Sequence, residues 1–86
     1  MYIRYTKIAI KHIETLDKPT KQRIKTAIEK IPFGDIKKLT GYENDYRLRV
    51  GNYRVLFSLD NDIIIVQADN SIEEFGTFSH DEINWE

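Results

Sequence analysis

Three arginines, Arg47, Arg49 and Arg54, fall within DYRLRVGNYRVLFSL, residues 45–59. A guanidinium stays charged at any working pH and presents paired N–H donors that match a phosphate. Gly51-Asn52 sits between two alternating runs, the signal for a two-residue β-hairpin. Such a turn pairs Val50 with Tyr53, Arg49 with Arg54, Leu48 with Val55 and Arg47 with Leu56. Alternation then places Tyr46, Leu48, Val50, Tyr53, Val55 and Phe57 on one face, and all three arginines on the other. Like charges directly opposite each other destabilise a sheet, so selection for something other than stability is the natural account of the pairing. Fixed cations converging on one point suit the stabilisation of negative charge on a phosphate. The plainer alternative is that the arginines splay into solvent or pair with Glu43, Asp45 or the acidic C-terminal segment.

Composition sharpens the contrast. All 13 lysines and arginines lie in residues 1–54 beside six acids, a balance of +7; residues 55–86 carry eight acids and no Lys or Arg. The net charge of −1 hides this division, which suggests a polyanion-binding surface on the first part and an acidic counterpart on the second. Composition alone is equally met by two solvated faces. The absence of cysteine excludes disulfides and thiolate metal sites and suits a reducing, cytoplasmic compartment. The N-terminal stretch, interrupted by Arg4, Lys7 and Lys11, has no signal-peptide core, and no apolar run approaches a membrane span. The acids show no ligand spacing for a metal, and no glycine-rich phosphate loop is present; no cofactor is expected.

Several elements must position the arginines. Tyr2, Ile3 and Tyr5 favour a short N-terminal strand. Ile8, Ala9, Ile13 and Leu16 recur at helical spacing, and Ile24, Ala27, Ile28 and Ile31 follow an i, i+3, i+4, i+7 pattern. Asp17-Lys18-Pro19 separates the two helices and starts the second. Pro32-Phe33-Gly34 ends it. Residues 35–45 read as a connection tacked down by Ile36, Leu39 and Tyr42. Asp60-Asn61-Asp62 is a turn, and Ile63–Val66 is the apolar run of a central strand. The expected fold is α+β: a short N-terminal strand, then a two-helix antiparallel hairpin packed on a three- to four-stranded antiparallel sheet, all in one domain. One more strand around Ile72–Phe78, followed by a tail, completes the reading. Trp85 reads as an exposed anchor, His12 as a boundary residue, and Tyr46 and Tyr53 as core-facing.

The helix pair followed by KKLTGYENDYRLRVGNYRVLFSLDNDIIIV resembles the RelE/ParE toxin superfamily of type II toxin–antitoxin modules. The segment KLTGY…YRLRVGNYRVLF is close to the RelE-type core, and YTKIAIKHIETLD resembles its opening. The likeness covers residues 2–68. It implies a toxin with a basic face, neutralised by a cognate antitoxin, that enters the ribosome and cleaves messenger RNA without metal by 2′-hydroxyl attack. By position, Arg49 and Arg54 match the family's charge stabilisers and Arg47 a positioning contact. Lys37 and Lys38 would extend the RNA contact.

The C-terminal segment departs from the pattern. Where RNA-cleaving members carry an arginine-containing turn and then a tyrosine, or a His-Tyr pair, this chain reads ADNSIEEFGTFSHDE, with Glu73-Glu74 and either Phe75 or Phe78 in their place. Three explanations stand side by side. His80 takes over proton transfer; the chain is an inactive relic that still binds its antitoxin; or the acidic tail lies on the basic face. A ParE-like inhibitor of DNA gyrase without nuclease chemistry is the alternative function.

Overall fold

The computed structural model describes residues 2–41, 44–67 and 77–86. Strand β1 (Tyr2–Thr6) runs directly into helix α1 (Lys7–Glu14). Thr6 makes the junction: it has extended backbone, and its hydroxyl accepts from Ala9 N–H at 3.2 Å. Such a cap satisfies a backbone donor that the first helical turn leaves open. Helix α2 (Lys18–Glu29) starts the same way at Asp17, with Pro19 in its first turn. The Asp17 carboxylate accepts from the Thr20 hydroxyl at 2.6 Å and from its N–H at 3.3 Å.

The remaining strands are β2 (Ile36–Lys38), β3 (Asp45–Val50), β4 (Tyr53–Asp60), β5 (Ile63–Gln67) and β6 (Thr77–Ser79), followed by a 3₁₀ turn at His80–Glu82. They form one sheet in the order β2-β3-β4-β5-β1-β6. The α+β class holds, with a six-stranded mixed sheet in place of three or four antiparallel strands. The expected meander is its middle, β3-β4-β5. Strand β2, inside the expected connection, is new; the expected N-terminal strand β1 joins the sheet parallel to β5, and β6 stands for the further strand expected around Ile72–Phe78.

Paired residues share a face, so the register defines two sides. Tyr46, Phe57, Val66, Tyr5 and Phe78 form one cross-strand row, with Leu48 and Val55 beside it. This side meets the helices: Ala9 and Ile13 of α1 and Ile24 and Ile28 of α2 join Tyr5, Leu48, Phe57, Ile64 and Val66 in the core. Full burial of each isoleucine, leucine, valine or phenylalanine among them contributes about 1.5–3 kcal/mol. Tyr46 stacks on Phe57, with ring centroids 5.6 Å apart.

Two expected aromatic positions are reversed. Tyr53 has the core-side register but lies at the hairpin tip, 40 % exposed. Trp85, expected as an exposed anchor, is only 6 % exposed and packs in the core with Ile83. The C-terminal segment is therefore a packed element. Tyr42, Glu43, Glu73, Glu74 and Phe75 lie outside the described residues.

Candidate phosphate-binding face

The side of the sheet away from the helices carries the cations. The hairpin register matches the sequence reading at every position: Arg49 faces Arg54, Arg47 faces Leu56, Leu48 faces Val55 and Val50 faces Tyr53. Gly51 makes this possible, because its φ of +59° is the conformation required at the first position of a II′-type turn while Asn52 keeps a negative φ. Strand β2 adds Lys37 directly opposite Arg47. Two like-charged cross-strand pairs, Lys37–Arg47 and Arg49–Arg54, thus stand on one face. Side-chain roots in such pairs are about 4.5–5.5 Å apart.

None of these four cations forms an ion pair among the described residues. Arg49 Nε donates weakly to Gly51 O at 3.4 Å, and Arg47 Nε is buried without a hydrogen-bond partner. Asp45, the nearest acid in the register, is engaged elsewhere. It accepts from the Ser58 hydroxyl at 2.6 Å, and Ser58 in turn accepts from the Gln67 amide at 2.5 Å. Asp45 opposite Ser58 follows from the same hairpin register, whereas Gln67 joins them only through the β4–β5 pairing. Lys38 is separated from the group: it pairs with Tyr46, so alternation roots it on the opposite side from Lys37.

His80 does not join the arginines either. It lies on the helix side, where its ring stacks on Tyr5 at 5.7 Å and tilts against Trp85 at 5.3 Å. The Tyr5 hydroxyl lies 2.6 Å from His80 Nδ1, and Nε2 faces Glu29 Oε2 at 3.5 Å. Burial, with a smaller contribution from the Glu29 charge, pushes the Tyr5 pKa far above its ordinary value, so the hydroxyl keeps its proton. In the tautomer with the imidazole proton on Nε2, toward Glu29, the hydroxyl donates to Nδ1. Burial holds the His80 pKa below 6.5, helped by Lys25 and opposed by Glu29 and Asp81. Trp85 closes the corner: its indole N–H donates to His80 O at 3.2 Å, and Gln22 of α2 donates to Trp85 O at 2.8 Å. The described tail, residues 77–86, is thereby held against β1 and α2. No ion pair joins its acids to the hairpin arginines among the described residues.

Among the described residues no group of three or more His, Asp or Glu side chains is arranged to hold a metal, and no helix is long and apolar enough to cross a membrane. Sequence reasoning also passed over Arg23, which was only one of several cations on the polar side of α2. Its guanidinium lies against the hairpin turn: a Cβ at Gly51 would come within 2.9 Å of Arg23 Nη2.

No protein-family model matches the chain. A curated relative does: Toxin RelE3 of Methanocaldococcus jannaschii is 36 % identical over an alignment covering 76 % of this chain and 83 % of the relative. Among solved structures, the RelB-RelE antitoxin–toxin complex from Methanococcus jannaschii contains a chain that superposes with a TM-score of 0.64 at 34 % identity. That match spans 73 % of this chain and 82 % of the other. The hairpin, the helix-backed sheet and these likenesses agree, and the chain belongs to the RelE family of toxins.

Proposed function

We propose that this protein is the toxin of a type II toxin–antitoxin module and acts on messenger RNA at the ribosome. Arg49 and Arg54 stabilise negative charge on the scissile phosphate, while Arg47 and Lys37 hold the neighbouring backbone. The observation that carries the reading is the Arg49–Arg54 pair, two directly opposed cations with no carboxylate partner among the described residues. Attack of a 2′-hydroxyl on the adjacent phosphate forms one P–O bond and breaks another, spreading charge over the non-bridging oxygens. Two guanidinium groups fixed on neighbouring strands meet that charge without reorganising. The neutralising partner in this reading is a cognate antitoxin, because the structural relative is held in a RelB-RelE complex.

The placement of His80 favours a second reading, in which the chain binds RNA or its antitoxin without cleaving. The only histidine of the C-terminal segment is committed to Tyr5 and Glu29, on the side of the sheet away from the arginines. Primer extension on a message in a reconstituted translation reaction separates the two. Breaks in the A-site codon that disappear with Arg49→Ala and Arg54→Ala support cleavage. An intact message at high protein concentration supports the binding-only reading.

A further inference from the structure

The hairpin turn brings together more charge than the hairpin itself supplies. Arg23, on the exposed side of α2, lays its guanidinium over Gly51: Nη2, Cζ and Nη1 would lie 2.9, 3.6 and 3.8 Å from a Cβ built there. Glycine suits this position by its positive φ, and a Cβ there would have to push the Arg23 fork aside. Arg49 approaches the same residue through Nε, at the Gly51 carbonyl, and Arg54 stands opposite Arg49. Two guanidinium groups, from α2 and β3, therefore reach one turn residue, with Arg54 of β4 in register opposite Arg49.

Neighbouring acids do not explain the cluster. Asp35 lines the same groove beside Arg23 and Arg49, but what it contributes is its backbone carbonyl, which accepts from Arg49 N–H at 2.9 Å. Asp17 is held below the usual carboxylate range first by its hydrogen bonds from Thr20, and Arg23 adds only a longer-range attraction. No carboxylate lies within ion-pair distance of Arg23 among the described residues. Arg23 and Arg49, both at Gly51, fall within the Debye length of about 8 Å at physiological salt, so solvent ions screen them incompletely. Packing accounts for only half of Arg23. Its aliphatic stem can cover the groove lined by Ala27, Leu48 and Val50, yet a stem needs no fork at the turn.

We propose that Arg23 is a phosphate-positioning residue, which carries the anion-binding surface from the open sheet face around the hairpin tip onto α2. A strand of RNA engaged at Arg49 and Arg54 continues past Gly51, and Arg23 holds a second phosphate there. The inference rests on the RNA-binding reading above and deepens it, by naming the direction in which the bound strand leaves the sheet.

The test measures binding of a labelled single-stranded oligoribonucleotide by fluorescence anisotropy over a series of salt concentrations. Wild type is compared with Arg23→Gln, Arg23→Lys, Arg54→Gln and Lys11→Gln, each checked for an unchanged melting temperature. Loss of one phosphate contact lowers the slope of log affinity against log salt by about 0.7 for a single strand. Arg23→Gln and Arg54→Gln should each lose that increment. Arg23→Lys, which keeps a point charge without the fork, should keep the slope and lose part of the affinity. Lys11→Gln, on the exposed surface of α1, should match wild type. A purely structural role for Arg23 would move stability and leave the slope alone. If Arg23→Gln keeps the wild-type slope while Arg54→Gln loses its share, the Arg23 assignment fails and the hairpin site stands. If Arg54→Gln also leaves the slope unchanged, or wild type does not bind, the RNA-binding reading and this inference fall together.

Discussion

At the β2–β4 end of the sheet, Lys37, Arg47, Arg49 and Arg54 stand in like-charged cross-strand pairs without a carboxylate partner among the described residues. At the β1–β6 end, Tyr5, His80, Gln22 and Trp85 use half-buried hydrogen bonds and ring contacts to close a corner, with Glu29 facing His80. The first end gives up stability that neutral residues would have supplied. The second holds a short C-terminal segment on the core with an aromatic anchor and few polar atoms. A candidate binding surface and a structural clamp thus occupy opposite ends and opposite sides of one sheet, and removing residues should affect different observables at each.

The largest effect is expected at the clamp. Trp85→Ala removes a buried aromatic that touches Tyr5 and His80, and should cost about 3–5 kcal/mol in urea unfolding. A cost near zero would mean that the C-terminal segment is not part of the core. At the other end, Arg54→Ala should leave the urea midpoint unchanged or slightly raised while lowering cleavage about 10²–10³-fold, the scale of losing one fixed donor to a transition-state anion.

The clamp should also respond to pH. His80 is held below its ordinary pKa of 6.5 in the folded chain, first by burial. Below that pH the unfolded chain takes up a proton more readily than the folded one, so the unfolded state gains and stability falls. Melting temperature should therefore drop as pH is lowered from neutral through the region below 6.5, and His80→Gln should flatten the drop. The smallest effect has the opposite sign. Replacing one member of an opposed like-charged pair, as in Arg49→Thr, should stabilise the fold by about 0.2–1 kcal/mol, with the gain shrinking at high salt. A destabilisation would show that Arg49 has a structural partner.

How much of this was legible in the sequence follows from the range of the interactions involved. The hairpin register was readable residue by residue, because Gly51-Asn52 and the flanking alternation are local signals. The start of the second helix was readable for the same reason, from Asp17 before Pro19. Strand β2 was hidden because its three residues, Ile36–Lys38, carry too short a pattern and two lysines. The parallel pairing of β1 with β5 joins Tyr5 to Val66 across most of the chain, and no local signal encodes it. The candidate site divides in the same way. Arg49 opposite Arg54 was a local inference, whereas the distance of His80 from them depends on Tyr5, Glu29 and Trp85, which come from three separate parts of the chain. Lys37 and Lys38 looked equivalent until the edge strand assigned them to opposite faces. Arg23 was invisible as a site residue because helical periodicity marks a polar side without saying what lies against it.

The most direct test of the division between the two ends is primer extension on a translated message with wild type, Arg54→Ala and His80→Gln, each added at equal folded concentration. The account predicts A-site breaks with wild type and with His80→Gln, and none with Arg54→Ala. Breaks that persist in Arg54→Ala and vanish in a folded His80→Gln would contradict it, and would move the chemistry to the opposite side of the sheet.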